Sequence, residues 1–486
     1  MHRSVLEDTI VALSTPIGEG GIGIVRLSGP ASLAIADAVF VSKDGGKPSG
    51  YESYTVHYGH VVDRVSGIGY RVSGLRKNRT KPETRNPKPA IIDEALLTVM
   101  RAPKSYTRED IVEINCHGGI QAMKKVLDLV ARRGARIAEP GEFTKRAFLN
   151  GRIDLVQAEA VIDVIRAKTE GSLKVAVSQL EGELSKTVNR ALDEVVSIAA
   201  HVEASIDFPD EALDAAERRA LLKKTKTVIT ELSRLIRTYD EGAVLREGIL
   251  AIICGKPNVG KSSLMNLLLK RDRVIVSPIP GTTRDTVEEM INLRGIPIRL
   301  VDTAGIAESE DILVREGISR SKKYLALADI VIMMFDHSEK LDAADLALVK
   351  LMQNKKTVVV LNKVDLPRKV DLKRLRVLFK KERIVEVSVG TKKNIEALEE
   401  AIAGAVWGGT FWQGEGAILS NARHKGLLDK SFENMLSVKR ALEDALDPEL
   451  VAVDLKEAIF NLGLITGRSV SDDVLDRIFE QFCIGK

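Results

Sequence analysis

The sequence predicts a multidomain fold with an α+β domain at the N-terminus, an α-helical central domain, and an α/β domain inserted into the helical one. Short β-like runs separated by glycine turns fill the first 150 residues. Apolar residues recur at steps of three and four on both sides of residues 248–404, where strand-like and helix-like runs alternate around a glycine-rich loop. These patterns predict helices and an alternating α/β unit. A chain of 486 residues has the length for about three domains.

The N-terminal domain is predicted over residues 1–150. Its β-like runs are Thr9 to Leu13, Ile22 to Leu27, Tyr54 to Val62, Ala95 to Met100 and Ile111 to Ile114. A helix-like run, Ile120 to Arg132, interrupts them, and the mixture indicates an α+β fold. Arg71 to Ala90 contains seven basic residues, one acid and three prolines. This composition predicts a solvated surface loop, with an RNA-contacting loop as the alternative.

The helical domain is predicted to combine residues 151–247 with residues 405–486. In the first segment, apolar residues form the stripe of one long amphipathic helix: Leu173, Val177, Leu180, Leu184, Val188, Leu192, Val195, Ala199 and Val202. A helix-like pattern continues from Leu213 to Tyr239, and it is found again in Leu427 to Leu446 and in Leu455 to Phe482. Because each segment carries an apolar stripe that the other can bury, we expect one domain; two separate bundles are the alternative.

The inserted domain carries a phosphate-binding loop. Gly255 to Ser262 reads G-x-x-x-x-G-K-S, follows the apolar run Ile249 to Cys254 and precedes a helix-like stretch. Backbone N–H groups of such a loop cradle phosphates, with Lys261 placed for β- and γ-phosphate oxygens and the Ser262 hydroxyl for Mg²⁺. A chance glycine turn is the alternative. Two observations argue against it: every fixed position of the motif is occupied, and the motif lies between a strand-like run and a helix-like stretch.

Three later motifs predict that the ligand is a guanine nucleotide. Asn362-Lys363-Val364-Asp365 ends an apolar run, and the Asp365 carboxylate can accept from the guanine N1–H and exocyclic amine, a donor pair that adenine lacks. The backbone of Ser388-Val389-Gly390 is placed to reach the guanine carbonyl. Asp302-Thr303-Ala304-Gly305 supplies a carboxylate for the magnesium shell and a glycine that can turn toward a γ-phosphate. We therefore expect GTP with Mg²⁺.

The segment between the phosphate loop and D-T-A-G is expected to be a mobile loop that delivers a hydroxyl to the metal. It contains Gly281-Thr282-Thr283-Arg284-Asp285, and we assign the metal-binding role to Thr283. We expect the catalytic groups to include Lys261, Thr283 and Asp302. Ile306 follows Gly305 and cannot orient water as a glutamine can, so hydrolysis needs another source of polarity.

Composition limits the other classes of protein. The net charge of +4 is small for this length and by itself indicates neither nucleic acid nor membrane binding. Cys116, Cys254 and Cys483 form no C-x-x-C pair, which favours a reducing compartment, with Cys254 as a core thiol. We find neither a signal peptide nor an apolar run of the ~20 residues needed to span a bilayer. We therefore expect a soluble cytoplasmic protein that does not attach to membranes.

Further motifs carry a resemblance over essentially the whole chain. They are His117-Gly118-Gly119, Pro140-Gly141-Glu142-Phe143-Thr144, Arg146-Ala147-Phe148-Leu149-Asn150-Gly151 and the terminal Cys483-Ile484-Gly485-Lys486. With the nucleotide motifs, they closely resemble the MnmE family, also called TrmE, of tRNA modification GTPases. The resemblance implies a Ras-like P-loop GTPase domain, an N-terminal domain that binds folate and dimerises, and hence a homodimer. Only the basic segment from Arg71 to Ala90 looks like an insertion.

The resemblance implies an activity that composition cannot show. With an FAD-dependent partner, MnmG or GidA, members of this family install aminomethyl or carboxymethylaminomethyl groups at carbon 5 of the wobble uridine in certain tRNAs. The one-carbon unit comes from a tetrahydrofolate derivative, 5-formyl- or 5,10-methylene-tetrahydrofolate. The implied partners are tRNA and MnmG, in a heterotetramer or larger complex. Which of the two products is made stays open.

The resemblance also implies folate-binding residues. Arg26, Glu113 and Arg152 occupy folate-contacting positions, with the terminal Lys486 contributing, and Arg152 stands where lysine is commoner. Arginines suit the glutamate-tail carboxylates of folate, and a carboxylate suits the pterin donor edge; surface salt bridges are the alternative. Cys483 is placed in the modification chemistry, with a prenylated C-a-a-X cysteine or a buried structural thiol as alternatives.

For hydrolysis the resemblance implies a potassium ion that is held when two nucleotide domains dimerise. Its expected ligands are Asn258, Ser277, Ile279 and Thr282, with Ser277 replacing the commoner threonine. The full set of expected GTP contacts is Asn258, Val259, Gly260, Lys261, Ser262, Ser263, Ser277, Pro278, Ile279, Pro280, Gly281, Thr282, Thr283, Asp302, Thr303, Ala304, Gly305, Asn362, Lys363, Asp365, Ser388, Val389 and Gly390. A monovalent cation among them would offset the charge that builds between the β- and γ-phosphates.

The family's water-positioning glutamate falls on Val314, three residues before Gly317, and valine cannot orient water. The acids nearby are Glu308, Glu310, Asp311 and Glu316. A register shift can recruit Glu316. We expect slow hydrolysis unless one of these acids takes the glutamate's place.

Two other classes of GTPase stay open at this point. A non-modifying regulatory or ribosome-assembly GTPase would share the nucleotide loops, but residues 1–150 would not bind folate. A membrane-associated GTPase resembling septins or dynamins would need a basic amphipathic helix or a lipid site, and we find neither in the sequence.

Overall fold

The structure is a computed structural model, and it describes residues 7–64, 90–208, 214–272, 289–302, 327–352, 355–380, 382–407 and 416–486. The chain divides into unit 1, Met1–Glu159 with Ser469–Lys486, and unit 2, Ala160–Arg468. The expected domain boundaries at residues 150, 247 and 404 differ from this division, and the four-part assignment of the chain stays a prediction. Of the basic segment from Arg71, only its last residue, Ala90, lies within the described ranges.

The strands, in chain order, are β1 (Ile10–Leu13), β2 (Gly23–Ser28), β3 (Phe40–Ser42), β4 (Thr55–Asp63), β5 (Ala90–Met100), β6 (Ile111–Cys116), β7 (Arg136–Ile137), β8 (Ile249–Cys254), β9 (Glu289–Leu293), β10 (Ile296–Asp302), β11 (Ile330–Asp336), β12 (Thr357–Asn362) and β13 (Ile384–Glu386). The helices are α1 (Ser32–Val39), α2 (Ile120–Arg132), α3 (Glu142–Leu149), α4 (Leu155–Arg166), α5 (Glu170–Leu180), α6 (Glu183–Asp207), α7 (Ala215–Arg237), α8 (Tyr239–Glu247), α9 (Lys261–Asp272), α10 (Ala343–Leu351), α11 (Leu372–Leu378), α12 (Ile395–Trp407), α13 (Ala422–Glu443), α14 (Pro448–Thr466) and α15 (Asp472–Phe479). A short 3-10 helix spans Pro48–Gly50.

Unit 1 is organised around a seven-stranded sheet with the order β3-β4-β5-β6-β2-β1-β7. Its neighbouring strands are antiparallel, except that β1 and β7 are parallel. Buried apolar side chains of α1 and α2 pack on the strands in one core, so the predicted α+β fold is confirmed. Helix α2 has the predicted bounds. Strand β5 begins five residues earlier than predicted, because Ala90 to Glu94 pair with β4 although Asp93 and Glu94 are acidic.

A charged cluster is buried inside unit 1. The Arg146 side chain, on α3, is 1% exposed and contacts the carboxylates of Asp8, Glu109 and Glu142. Glu142 also pairs with Arg136. Burial raises the pKa of Glu142, but hydrogen bonds from Arg136 and Arg146 outweigh it and leave this pKa below its usual value. The cluster therefore ties α3 to the chain before β1 by charge-assisted hydrogen bonds.

The helices on either side of the α/β part pack together within unit 2. Helix α6 contacts α7 and α14, and α13 contacts α7 and α14. The two helical segments thus form one assembly with the α/β part inserted between them in sequence, as predicted, and not two separate bundles. Within the ranges that the structure describes, no helix has both the length and the apolar character needed to cross a membrane.

The prediction of a single helix from Leu173 to Val202 is wrong. The chain forms α5 and α6 there, with a break at Gly182, whose φ is +84°. The side-chain amide of Gln179 donates to the Ile418 carbonyl at 3.1 Å and to the Ser420 hydroxyl at 2.9 Å, which anchors the end of α5. Apolar steps of three and four continue through the break, so the periodicity does not reveal it.

Helix α5 also contacts the turn between β9 and β10. Its N-cap, Thr169, donates its hydroxyl to the carbonyl of Gly295 at 2.9 Å. A Cβ on Gly171 would lie 2.8 Å from the same carbonyl, so the helix start approaches the turn closely. Val175 of α5 belongs to the apolar core of the α/β part. The helical and α/β parts of unit 2 therefore share packed residues at this point.

The α/β part of unit 2 contains a six-stranded sheet with the order β13-β12-β11-β8-β10-β9, parallel except for the hairpin of β9 and β10. Strands β8, β11 and β12 are buried along their whole length. Ile253 of β8 lies in the core with α9 and α12, whereas Cys254 lies in the core on α10 and α11 and is the buried thiol that was predicted. In such a sheet, ligands bind where the loops leave the carboxyl ends of the strands.

Replacing Arg146 by methionine should destabilise unit 1 by about 3–5 kcal/mol, because Glu109 would lose its guanidinium partner and Asp8 and Glu142 would keep only Arg136 in a partly buried site. The matched control is Arg132→Met, which removes an ion pair with Asp63 in which the arginine is 61% exposed. That change should cost no more than about 1 kcal/mol. Hydrogen exchange of the β1 and β2 amides, read by mass spectrometry, measures both effects. Equal loss of protection in the two variants would contradict a stabilising role for the buried cluster.

Candidate functional site

The phosphate loop joins β8 to α9 at the carboxyl end of β8. Gly260 has a φ of +102°, and a Cβ there would lie 2.4 Å from Nδ2 of Asn362, so only glycine fits. Asn258 has a φ of +64°, a conformation that asparagine tolerates better than most residues. Val259 is buried in the core of the α/β part. The loop is therefore fixed by packing on one side and by the start of a helix on the other.

Lys261, the first residue of α9, is buried and turns back into the loop. Its Nζ donates to the carbonyl of Lys256 at 2.8 Å and to that of Gly255 at 3.1 Å. These bonds hold the ammonium group inside the turn, where a phosphate loop binds β- and γ-phosphate oxygens. The role of Lys261 in binding these oxygens stays a prediction.

Lys256, an x position of the motif, has an ionic role that sequence reasoning missed. Its Nζ lies 2.9 Å from Asp342, 3.0 Å from Asp345 and 3.6 Å from Glu339. Asp342 and Asp345 form the capping box at the start of α10. Hydrogen bonding to Asp342, and then to Asp345, outweighs burial and raises the pKa of Lys256 above its usual range. The capping-box pattern is readable in the sequence, but nothing in it points to Lys256.

Asn362 joins the phosphate loop to the loop expected to contact guanine. Its Nδ2 donates to the carbonyl of Val259 at 2.8 Å, and its Oδ1 accepts from the backbone N–H of Val389 at 3.0 Å. Both hydrogen bonds are buried. Only a carboxamide can donate with one atom and accept with the other at these two positions. One side chain therefore sets the distance between the phosphate end and the base end of the site.

Asp365 lies at the base end of the same site. A hydrogen bond from the Ser388 hydroxyl lowers the pKa of Asp365, which favours the ionised carboxylate, and its contact with guanine stays a prediction. The Nζ of Lys363 lies 2.6 Å from Asp336. Burial raises the pKa of Asp336, but hydrogen bonds from Lys363 and Ser338 outweigh it and hold this pKa below its usual value. The ion pair fixes the backbone that carries Asp365.

A cavity of about 830 Å³ opens between these motifs. Its lining residues are Asn258, Gly260, Ser263, Asn266, Leu267, Lys270, Arg271, Asn362, Lys363, Asp365, Val389, Gly390 and Lys392. The volume falls in the range of about 300–1,000 Å³ that small-molecule sites occupy. Sequence reasoning missed five of these residues: Asn266, Leu267, Lys270, Arg271 and Lys392. The i, i+4 spacing of Asn266 and Lys270 on α9, which starts at the phosphate loop, is the signal that could have found these two.

The remaining expected nucleotide and metal contacts lie outside the described residues. They are Ser277 to Thr283 and Thr303 to Gly305, and the same holds for Ile306, Val314 and the acids near Val314. Asp302 ends β10 and is in register with Ile253 of β8. Its backbone therefore lies at the sheet edge from which the phosphate loop leaves.

The donor groups near the loop can be compared with what each expected cation requires. Among residues in the described ranges, no group of three or more His, Cys, Asp or Glu side chains could hold a metal ion. Mg²⁺ in nucleotide sites is commonly held by one or two protein groups and by the phosphates themselves, so the hydroxyl of Ser262 beside the loop fits it. Asn258, which is exposed and lines the cavity, offers a neutral amide oxygen that suits a monovalent cation.

In unit 1 the C-terminal tail lies beside Arg26. Arg26 of β2 and Glu113 of β6 are register partners, with Nε 2.7 Å from Oε1. The Nη1 of Arg26 also donates to the carbonyl of Gly485 at 3.5 Å. Gly485 has a φ of +95°, and a Cβ on it would lie 2.1 Å from the carbonyl of Leu13, which excludes any other residue. Two expected folate residues and the tail are thus brought together.

Two aromatic rings accompany the arginines of this region. The guanidinium of Arg152 lies 4.7 Å from the ring centre of Tyr106, and that of Arg26 lies 5.8 Å from the ring centre of Phe143. Burial raises the pKa of Tyr106, so its hydroxyl stays neutral at physiological pH. Sequence reasoning did not select Tyr106, and it named Phe143 only within a motif that carries the resemblance. An arginine and an aromatic ring in contact give no local signal when they come from distant parts of the chain.

The backbone of the tail is fixed on the N-terminal part of unit 1. Ile484 forms a β-bridge with Pro140, and the N–H of Gly141 donates to the carbonyl of Cys483 at 3.4 Å. The N–H of Lys486 donates to the same carbonyl at 3.3 Å. The side chain of Cys483 is exposed, so the alternative of a buried structural thiol is wrong. The roles expected for Cys483 and Lys486 stay predictions.

Two family models match the chain. The model described as "GTP-binding protein TrmE N-terminus" matches residues 9–152, and the one described as "MnmE helical domain" matches residues 155–483. The second match alone covers more than half of the chain. Together they span the elements of unit 1 and unit 2 described above.

Curated relatives are similar over their full length. The "tRNA modification GTPase MnmE" of Carboxydothermus hydrogenoformans is 46% identical over 483 residues, which cover 99% of this chain and 100% of that protein. The protein of the same name from Bacillus subtilis is 44% identical over 487 residues, with 99% and 100% covered. A solved structure of Era from Aquifex aeolicus is 29% identical over 38% of this chain and 66% of that one, with a TM-score of 0.25, which is too low to inform the fold.

Asp365→Asn should shift nucleotide preference from guanine to xanthine. The amide no longer accepts from both guanine donors, whereas its NH₂ can donate to the second carbonyl of xanthine. Losing two hydrogen bonds to a charged group should weaken GTP binding about 100-fold or more. Titration with fluorescent GTP and XTP analogues measures the preference. Asp371→Asn, at the exposed N-cap of α11, is the matched control and should leave it unchanged. Unaltered GTP preference in Asp365→Asn would refute its role as base selector.

Proposed function

The chain belongs to the MnmE family of tRNA modification GTPases and is a GTP hydrolase involved in tRNA modification, and from this we propose that it acts on carbon 5 of the wobble uridine. In this reaction it works with the FAD-dependent protein MnmG and adds an aminomethyl or carboxymethylaminomethyl group. The proposal rests on one combined observation: the chain is similar to these relatives over its full length, and it contains a site with the motifs of a guanine nucleotide site. In that site Asn362 bridges the phosphate loop and the base loop.

The nucleotide part of the proposal assigns a task to each of five residues, of which Thr283 lies outside the described ranges. Lys261 neutralises β- and γ-phosphate oxygens, and Asp365 accepts from guanine. The hydroxyls of Ser262 and Thr283 and the carboxylate of Asp302 hold Mg²⁺, which supplies further neutralisation of the phosphates. Water attacks the γ-phosphorus and the bond to the β-phosphate oxygen breaks, which yields GDP and inorganic phosphate.

The cation part of the proposal concerns the oxygens around Asn258. We assign potassium ligation to Asn258, Ser277, Ile279 and Thr282, completed when the nucleotide domains of two copies come together. The support is that Asn258 lines the cavity at the phosphate end and is exposed there. A positive charge at that point would stabilise the charge that develops between the β- and γ-phosphates.

The modification part of the proposal concerns unit 1. A tetrahydrofolate derivative binds at Arg26, Glu113, Arg152 and Lys486, and unit 1 pairs with its copy in a homodimer. Arg26 and Glu113 are partly exposed, with 18% and 16% of their side chains accessible. Aromatic rings beside guanidinium groups suit a flat heterocycle that carries carboxylates. The exposed thiol of Cys483 takes part in the chemistry next to Arg26. Because tRNA is the substrate, we place the reaction in the cytoplasm.

Deleting the gene should remove the carbon-5 modification of wobble uridine, which mass spectrometry of total tRNA nucleosides detects. A plasmid copy of the natural sequence should restore it. A copy with Lys261→Ala should not, because the phosphates would lose their lysine. An unaltered nucleoside profile in the deletion strain would refute the proposed modification and favour a regulatory or ribosome-assembly GTPase.

Replacing potassium chloride by sodium chloride at equal ionic strength should slow GTP hydrolysis by about tenfold or more, a barrier increase of ~1.4 kcal/mol. The cause would be poorer coordination of the smaller cation by oxygens spaced for potassium. Initial rates of phosphate release in the two salts measure it. GTP affinity in both salts is the control and should agree within about threefold. Equal rates would eliminate the potassium mechanism.

A further inference from the structure

The outward face of α7 carries a row of basic side chains. Its members are Arg219, Lys223, Lys226, Arg234 and Arg237, and we call them the basic face of α7. All five are exposed. They recur at spacings of three, four and eight residues, so they lie on one side of the helix. At a rise of 1.5 Å per residue, the row is about 27 Å long.

The opposite side of α7 is the side that packs. Its buried residues are Leu221, Thr225, Val228, Leu232 and Leu235. The helix contacts α6 and α13. The basic face is therefore directed away from the apolar core of the helical assembly, and its orientation is fixed by that packing.

The charge of α7 is far from the average of the chain. Ala215–Arg237 contains seven basic residues and two acids, a net charge of +5, whereas the whole chain has a net charge of +4. The excess is therefore local. A patch of this kind produces a positive potential at the surface even though the protein as a whole is nearly neutral.

Ion pairing leaves most of this charge uncompensated. Elsewhere on the helical assembly, surface lysines pair with acids: Lys186 with Glu183, Lys425 with Asp429, and Lys456 with Glu203. On the basic face, Lys226 pairs with Glu443 at 3.3 Å. The other four members have no carboxylate within 4.0 Å among the described residues. A helix selected only for solubility would be expected to mix the two signs.

A shallow groove of about 530 Å³ follows the first half of the basic face. It is lined by Arg219, Leu222, Lys223, Lys226, Thr227, Thr230 and Glu231. The hydroxyls of Thr227 and Thr230 donate to the carbonyls of Lys223 and Lys226 within the helix, so the groups that can donate to an anion here are the cations. The one acid in the lining, Glu231, faces Arg190 at 4.0 Å. The groove therefore offers hydrogen-bond donors and positive charge from its three cations.

We propose that the basic face of α7 binds the phosphate backbone of the tRNA substrate. The inference rests on the proposed function, because it takes tRNA as the polyanion that this chain must meet. The members that are three or four residues apart lie about 5–6 Å from each other, a spacing that suits successive phosphates, and such contacts depend on charge and not on base sequence. An anionic membrane fits less well, since the exposed residues between the cations include Ala220, Thr227 and Thr230, and none of the large apolar side chains of α7 is exposed for insertion.

The test compares two variants of the full chain, each of which loses three positive charges. The first combines Arg219→Gln, Lys223→Gln and Arg234→Gln on the basic face. The second, the matched control, combines Lys350→Gln, Lys373→Gln and Arg376→Gln on α10 and α11, which are also exposed. Fluorescence anisotropy measures the Kd for total deacylated tRNA as a function of the potassium chloride concentration.

The first variant should bind tRNA at least tenfold more weakly at low salt. Its slope of log K against log salt should fall by about two to three, because each lost phosphate contact contributes about 0.7–0.9. The control should keep the natural Kd and slope. GTP hydrolysis without tRNA and the melting temperature should be the same in both variants, which excludes a folding defect. An unchanged Kd and slope in the first variant, or no measurable tRNA binding by the natural chain, would overturn the proposal.

Two further experiments distinguish tRNA binding from membrane binding, and the role of α7 from the proposed function. If the first variant loses binding to vesicles of phosphatidylglycerol and phosphatidylcholine while it keeps tRNA binding, the face binds membranes and the proposal is wrong. In the deletion strain, the first variant should restore wobble modification less than the control. Full restoration would overturn the role of α7 but leave the proposed function intact. Absence of any modification defect in the deletion strain would instead refute the proposed function.

Discussion

The arrangement of the nucleotide site depends on burial of the parallel strands β8, β11 and β12 on both faces. Because helices cover both faces of these strands, ligand-binding loops can leave only from their ends. The phosphate loop follows β8, and Asn362 ends β12. The two buried hydrogen bonds of the Asn362 carboxamide then lock the loops at one spacing. A guanine nucleotide needs this distance, since its phosphates and its base are read by different loops.

Residues of the helical assembly pack into the core of the α/β part, so the two parts of unit 2 are joined by side-chain contacts as well as by the chain. Thr169 and Gly171 hold the start of α5 against the turn that joins β9 to β10, and Gln179 holds its end. Strand β10 ends at Asp302, the residue expected near the metal. A shift of β10 along its axis would therefore press directly on α5. The elements that would report the nucleotide state to the helices are in contact already.

Motifs made of neighbouring residues could be predicted well, and contacts between distant residues could not. The phosphate loop, the positions of Lys261 and Asn362, and the two fold classes follow from short patterns with known backbone requirements. The break at Gly182 escaped prediction because the apolar periodicity continues through it. Strand β5 starts earlier than predicted because pairing with β4 extends the strand over Asp93 and Glu94, whose acidic side chains had argued against a strand. The pairs of Arg26 with the carbonyl of Gly485 and of Arg152 with Tyr106 join residues far apart in sequence, so no local pattern contains them.

The acids around Lys256 change what the phosphate loop offers a ligand. Its motif contains two lysines, and a count of charges would assign both to the triphosphate. Asp342, Asp345 and Glu339 hold the first one at the start of α10. Within the loop itself, the attraction for polyphosphate then comes from Lys261 and the backbone N–H dipoles. A polyphosphate in the loop would therefore meet one lysine of the motif and not two, while the other lysine stabilises the start of α10.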